Sequence, residues 1–159
     1  MVDIKKYNNE NVFAKILNSK IPCNKVFETK YVLGFKDINP QAPIHIVVIP
    51  KEKFCSFKDF SKYASANILT NLMRSIGEIA EKMSLENGYR IICNTGNDGG
   101  QEVPHIHFHL LGGKKIGKIK IANKVGEEST ETITAFLSQG KNEIAEESAD
   151  LIFHLFVLL

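Results

Sequence analysis

The chain has 159 residues, of which 43% are hydrophobic and 24% charged, so it is long enough for one domain, or for a small domain with an appendage. Its 20 Lys and Arg against 18 Asp and Glu give a net charge of only +2, and we expect neither nucleic acid nor a membrane as a partner. The three cysteines form no CxxC pair, and no apolar run reaches the roughly 18 residues of a membrane span. These features predict a cytoplasmic protein without a membrane anchor.

Helical and strand-like patterns alternate along the first part of the chain. In chain order the predicted elements are a short helix over 13–17, strands over 31–35 and 45–49, a long helix over 61–86, and strands over 89–93 and 105–111. Loops rich in Pro, Asn or Gly separate several of them. Because strands and helices alternate with two hairpin-like joins, we predict an α+β fold, with an antiparallel sheet and flanking helices.

The pattern changes after Gly113, because the rest of the chain contains no proline and its apolar residues recur at helical spacing. This pattern predicts two helices, over 116–137 and 141–159, that form a helical hairpin. The predicted organisation is therefore one domain over 1–113 and a helical extension over 114–159.

Three histidines alternate with apolar residues between positions 105 and 110. They are His105, His107 and His109. In a strand, these imidazoles would lie about 6.6 to 7 Å apart on one face while the apolar residues enter the core. A neutral imidazole is a competent nucleophile near neutral pH, and the glycine-rich loop at 94–100 would bring backbone N–H groups close to an anion. The combination predicts phosphoryl chemistry.

Two other interpretations of the histidines remain open from residue type alone. A single buried histidine is more often a hydrogen-bonded core residue than a catalytic one. Alternatively, His-x-His on a strand presents two imidazoles to Zn²⁺, and His45 or Asp98 could complete the ligand set. No HExxH arrangement accompanies the cluster, which counts against zinc hydrolysis.

Several separated strings resemble the histidine triad (HIT) superfamily of nucleotide hydrolases and transferases. HIHFHLL at 105–111 resembles its signature of histidines alternating with apolar residues. Strings that resemble its HINT-like branch are FAKIL at 13–17 and IP at 21–22 for the first helix, DINPQAPIH at 37–45 for the nucleotide loop, and NTGNDGGQ at 94–101 for the stretch before the signature. The resemblance covers residues 1–113.

The resemblance implies a homodimer that cleaves purine nucleoside phosphoramidates or related nucleotidyl bonds and needs no metal cofactor. It makes His107 the nucleophile that attacks the α-phosphate and forms a nucleotidyl-histidine. His105 would support the imidazole network and His109 would contact the phosphate. His45 would lie close to these three.

The resemblance also implies a binding site for a purine nucleotide. The residues implied to hold the base and ribose are Phe13, Phe35, Ile38 and Asp37. The residues implied to shape the phosphate site are Asn94, Gly100, Gln101 and Val103. Without the resemblance, the two phenylalanines would be assigned to the core and the aspartate to turn capping.

Two positions depart from the eukaryotic form of the pattern. Glu102 stands where that form has serine, and Pro104 stands where it has tyrosine. A carboxylate at position 102 disfavours a nearby anion unless it points away or pairs with the leaving amine. Glu102 should therefore affect the choice of leaving group most.

The C-terminal region carries acidic residues at helical spacing, which by residue type alone indicate a solvated acidic face balanced by lysines. The strings KVGEESTE at 124–131 and ESADLIFHLFVLL at 147–159 resemble phosphoribosyl-ATP pyrophosphohydrolase, an all-α nucleotide pyrophosphatase with an EExxE…ExxD magnesium motif. The implied Mg²⁺ ligands are Glu128, Glu131, Glu147 and Asp150. The opening helix and closing segment of that family have no counterpart here, so we expect a structural remnant.

Three functions follow from these observations. The first is a HIT-type phosphoramidate hydrolase. The second is a nucleotide-binding homodimer with vestigial catalysis, and the third is a nucleotide pyrophosphohydrolase that uses Mg²⁺ bound by the acidic tail.

Overall fold

The chain forms two compact units, Met1–Lys115 and Ile116–Leu159, in a computed structural model. The structure describes residues 2–115 and nine residues of the second unit. Those nine are helical: Ser129, Thr130, Thr132, Ile133, Ala145, Ser148, Ala149, Leu151 and Ile152. The rest of the two predicted C-terminal helices lies outside the described residues. Within the described part, no helix is both long enough and apolar enough to cross a membrane.

The first unit contains one sheet and three helices. Its elements are α1 (Val12–Leu17), β1 (Lys25–Glu28), β2 (Val32–Lys36), β3 (Ile44–Pro50), α2 (Phe57–Tyr63), α3 (Ala66–Lys82), β4 (Arg90–Ile92) and β5 (Phe108–Gly112). All neighbouring strands pair antiparallel, in the order β1-β2-β3-β5-β4. The α+β class with an antiparallel sheet is therefore confirmed.

The long helix predicted over 61–86 is divided into α2 and α3. Ser56 and Asp59 form a capping box that starts α2, and the backbone of Ala64 is extended, which ends it. Ser65 then caps α3 by accepting a hydrogen bond from the Ile68 N–H. Two capping serines close together in sequence therefore start two helices where apolar periodicity predicts one.

The strand predicted over 105–111 begins three residues late, at Phe108. Pro104 has no N–H to give to a sheet. The N–H of His105 instead donates to the Val103 carbonyl, and the N–H of Ile106 donates to the Phe54 carbonyl. The first two histidines of the signature therefore lie in the irregular segment that leads into β5, and of the three only His109 lies on the strand.

The sheet separates two hydrophobic clusters. The larger cluster lies between the sheet and α3, which packs closely over β2: a Cβ at Gly34 would lie 2.9 Å from Ile79 Cδ1. The smaller cluster lies on the other face, under α1, and includes Phe13, Phe35 and Val47. Register pairs Val47 with His109. The histidine side of β5 therefore faces the smaller cluster.

Candidate active site

His107 has a defined tautomer. Its ring is buried, and its Nδ1 lies 2.8 Å from the carbonyl oxygen of His105. A carbonyl only accepts hydrogen bonds, so Nδ1 carries the proton and Nε2 keeps an unshared electron pair. Burial lowers the pKa of His107, and the nearby carboxylates of Asp37 and Glu102 oppose this effect. His107 is therefore a neutral imidazole with an unprotonated Nε2, the form that a nucleophile requires.

His105 is fully buried and hydrogen-bonded at both ring nitrogens. Its Nε2 lies 3.0 Å from the Pro50 carbonyl, so Nε2 carries the proton, and the Tyr7 hydroxyl donates to Nδ1. Burial lowers the pKa of His105 to about 4. Tyr7 is a site residue that sequence reasoning missed, because its contact with His105 spans 98 positions.

His45 and His109 form a second hydrogen-bonded pair beside Asp37. The Gln41 N–H donates to His45 Nδ1 at 3.2 Å, so His45 carries its proton on Nε2. That nitrogen lies 2.9 Å from His109 Nδ1 and 3.4 Å from Asp37 Oδ2. With Nδ1 as an acceptor, neutral His109 holds its own proton on Nε2.

Burial keeps both rings of this pair neutral near pH 7. Burial is the main cause that lowers the pKa of His109 to about 4, and His107 and His45 lower it further. Burial also lowers the pKa of His45, against the attraction of Asp37. A neutral His109 with a proton on Nε2 is a hydrogen-bond donor suited to a phosphoryl oxygen.

Three side chains of the site carry atoms that metal ions bind. Among the described residues, Asp37, His45 and His109 form a group of potential ligands whose donor atoms lie within 4.8 Å of one another, and Asp98 does not belong to it. Zn²⁺ at this position would need a free electron pair on His45 Nε2, but the Gln41 bond places the proton there. These three side chains form a chain of hydrogen bonds and close ionic contacts among themselves.

A cavity of about 640 Å³ lies beside α1 and β2, and two of its lining residues, Phe13 and Asp37, contact the histidines. Five residues predicted to bind the nucleotide line it: Phe13, Phe35, Asp37, Ile38 and Val103. The Phe13 ring lies edge-to-face against Phe35 at 5.7 Å and against His107 at 5.1 Å. Glu102 also lines the cavity. Phe13 therefore connects the cavity to the candidate nucleophile.

The glycine-rich loop is held by its own hydrogen bonds. The side chain of buried Gln101 accepts from the Gly96 N–H at 3.0 Å and donates to the carbonyls of Cys55 and Val103. The Gly100 N–H donates to the Asn97 carbonyl. The amides of Gly96 and Gly100 are thus not free to bind an anion, contrary to the expectation from sequence.

The remaining predicted site residues fall into two groups. Asn94 donates to the Gly100 carbonyl at 3.4 Å, and Gly100 adopts a φ of +67°, a conformation that suits glycine. Both residues therefore shape the loop. The four implied Mg²⁺ ligands, Glu128, Glu131, Glu147 and Asp150, lie outside the described residues.

Comparisons with known proteins agree with this geometry. Residues 18–116 match the model of the HIT domain, and residues 101–159 match that of phosphoribosyl-ATP pyrophosphohydrolase. An uncharacterized HIT-like protein of Azospirillum brasilense is 49% identical, with 71% of this chain and 93% of that protein covered. The purine nucleoside phosphoramidase of Escherichia coli is 42% identical, with 68% of this chain and 91% of that protein covered.

Solved structures show the same fold. A HIT family hydrolase from Legionella pneumophila is 40% identical, with a TM-score of 0.64, and the match covers 68% of this chain and 96% of that one. A histidine triad protein from Clostridium difficile is also 40% identical, with a TM-score of 0.65, and the match covers 71% of this chain and 98% of that one.

Proposed function

Because the chain belongs to the HIT domain family, we propose that it hydrolyses purine nucleoside phosphoramidates or related nucleotidyl bonds through a nucleotidyl-His107 intermediate. One observation carries the proposal: the His105 carbonyl fixes the proton of His107 on Nδ1, which leaves Nε2 unprotonated. The activity in the name of the Escherichia coli relative supports the substrate class.

The proposed reaction has two displacements at the α-phosphorus. In the first, His107 Nε2 forms a bond to phosphorus while the bond to the leaving nitrogen breaks, and the amine departs with a proton from solvent. In the second, water attacks phosphorus, loses a proton, and releases the nucleoside monophosphate and free His107. Covalent catalysis thus divides one difficult displacement into two easier ones.

Neighbouring groups would stabilise and orient the substrate. His109 would donate from Nε2 to a phosphoryl oxygen, and its orientation is set by the bond between its Nδ1 and His45. Phe13, Phe35 and Ile38 would contact the base. Asp37 is held by the Asn39 N–H, which donates to its Oδ1 at 2.8 Å, and it would accept hydrogen bonds from the ribose hydroxyls.

The test is hydrolysis of an adenosine phosphoramidate by the full chain, with and without EDTA. His107→Asn keeps a side-chain donor for the His105 carbonyl but removes the nucleophile, so we expect at least about a 1,000-fold loss of kcat. Wild-type activity should survive EDTA, and Glu128→Ala should leave it unchanged. Activity that persists in His107→Asn would contradict the proposal.

A second candidate function rests on the match of residues 101–159 to phosphoribosyl-ATP pyrophosphohydrolase. In this case Mg²⁺ held by the acidic tail would support hydrolysis of a nucleoside triphosphate. Activity lost with EDTA and in Glu128→Ala, but kept in His107→Asn, would favour it. Binding of AMP without turnover by any variant would favour the nucleotide-binding protein with vestigial catalysis.

We also propose that the chain forms a homodimer. In the described sheet β4 is an edge strand, and its Ile91 is exposed, as is the neighbouring Tyr89. An apolar edge strand is a surface that a second copy can cover. Light scattering of the full chain should give about twice the 17.8 kDa mass of one chain.

A further inference from the structure

The N-terminal segment, residues 2–11, is far from the signature motif in sequence but contacts the site in the fold. The N–H of Val2 donates to Asn97 Oδ1 at 2.8 Å, which fixes its start to the glycine-rich loop. At its other end, Asn11 caps α1 by accepting from the Ala14 N–H at 2.9 Å. Between these two anchors, Tyr7 reaches His105. The segment is therefore tied at both ends, with its tyrosine directed at a histidine of the site.

Tyr7 must be the donor in its hydrogen bond with His105. Because His105 Nε2 gives its proton to the Pro50 carbonyl, the Nδ1 of the neutral ring is an acceptor. The two rings also pack edge-to-face, with centroids 5.5 Å apart. Burial raises the pKa of Tyr7, and a hydrogen bond with the Asn11 side chain partly offsets this. The phenol thus keeps the proton that it donates.

The His105 residue that Tyr7 holds is the one that orients His107. Its ring is fixed at both nitrogens, and its backbone N–H donates to the Val103 carbonyl. Its own carbonyl accepts from His107 Nδ1 at 2.8 Å. Movement of the His105 ring would therefore move the group that sets the tautomer of His107. Among the described residues, the Pro50 carbonyl and the Tyr7 hydroxyl are the hydrogen-bond partners of this ring, and Phe13 packs edge-to-face against it at 6.1 Å.

We propose that Tyr7 is a positioning residue, which acts through His105 to keep His107 Nε2 unprotonated and aimed at the α-phosphorus. This inference rests on the proposed function. It concerns a residue outside the signature at 105–111 and outside the other strings that carry the resemblance, in a chain that has Pro104 where the eukaryotic pattern has tyrosine. Tyr7 does not line the nucleotide cavity, so its effect belongs to the chemical step.

The test uses the full chain and the substitution Tyr7→Phe, which keeps the ring and removes the hydroxyl. We expect kcat to fall about tenfold, with KM changed less than about twofold, because a transition-state alignment is lost while nucleotide contacts remain. Tyr63→Phe is the matched control, because Tyr63 is exposed and far from the histidines in sequence. It should leave kcat, KM and the melting temperature unchanged.

A spectroscopic measurement without substrate separates this inference from the proposed function. Imidazole ¹⁵N shifts should show one tautomer of His107, with its proton on Nδ1, in the wild type, and a mixture of both tautomers in Tyr7→Phe. A single tautomer in both proteins, or an unchanged kcat in folded Tyr7→Phe, overturns the positioning role. If the wild type has no hydrolase activity, the proposed function fails and the tautomer result still decides the role of Tyr7.

If Tyr7→Phe does not fold, 3-fluorotyrosine introduced at position 7 alone replaces it. This analogue keeps the ring and the hydroxyl but is a stronger hydrogen-bond donor. It should shift the His105 Nδ1 resonance relative to the wild type, and kcat should change with it. A shifted resonance with an unchanged kcat would overturn the inference.

Discussion

The two ends of the histidine row differ in what holds them. His105 is fully buried, and among the described residues the hydrogen-bond partners of its ring nitrogens are Tyr7 and Pro50. The side chain of His109 is 22% exposed, next to Asp37 at 18%. One signature motif therefore contains a histidine built into the interior and a histidine open to a ligand. Three histidines in alternation therefore need not share one chemical role.

The largest effect on stability should come from removing His105, the buried end of the histidine row. His105→Ala leaves the Pro50 carbonyl and the Tyr7 hydroxyl without their partner and creates a cavity, so we expect it to lower the free energy of unfolding by about 3 to 4 kcal/mol. Denaturant unfolding of the variant and the wild type measures this loss. A loss below about 1 kcal/mol would mean that His105 is not a structural support.

Removing His109, the partly exposed end of the histidine row, should affect activity more than stability. His109→Ala deletes the donor to the phosphoryl oxygen, and we expect kcat to fall about 100-fold. The free energy of unfolding should change by less than about 1 kcal/mol, because the ring is partly exposed. Equal losses of stability in His105→Ala and His109→Ala would remove the distinction between the two ends.

The alternation of histidines and apolar residues predicts only part of the structure around the signature motif. Alternation correctly placed Ile106, Phe108 and Leu110 in the core, because the two faces of a strand meet different surroundings. It could not place the first residue of β5, which depends on a bond from the Ile106 N–H to the distant Phe54 carbonyl. Local periodicity contains no information about such a bond.

Some residues of the candidate site could be predicted from the sequence, and others could not. The family resemblance brought together five of the residues that line the cavity. The role of Gln101 as a support of the loop, and the contact of Tyr7 with His105, depend on hydrogen bonds across the fold. A tyrosine among polar residues near the N-terminus gives no local signal of such a contact.

The pH dependence of stability is a property that the two ends should share. Burial lowers the pKa of His105 to about 4 in the folded chain, whereas in the unfolded chain it is about 6.5. Below pH 6.5 the unfolded chain binds a proton that the folded chain does not, so stability is full above that pH and falls as the pH is lowered toward 4. This linkage amounts to about 3 kcal/mol for His105.

Denaturant unfolding between pH 7.5 and 4.5 measures this dependence. His105→Gln and His109→Gln each remove a histidine whose pKa is lowered to about 4, so each should flatten the profile. If only His105→Gln flattens it, the pKa of His109 is not lowered in the folded chain.

The smallest effect should come from changing Glu102, whose carboxylate lines the cavity. In sequence it lies between Gln101, which supports the glycine-rich loop, and Val103, which also lines the cavity. Its charge raises the pKa of His107 and would repel an anionic phosphate while attracting a cationic leaving amine. Glu102→Gln should therefore lower kcat/KM for a phosphoramidate with a cationic leaving group, relative to one with a neutral leaving group, by about two- to fivefold. The control is Glu52→Gln, an exposed carboxylate outside the cavity, which should leave that ratio unchanged. If Glu102→Gln changes kcat/KM equally for both substrates, the carboxylate does not select the leaving group. The site around His109 then binds its ligand through the histidines and Asp37, without a contribution from position 102.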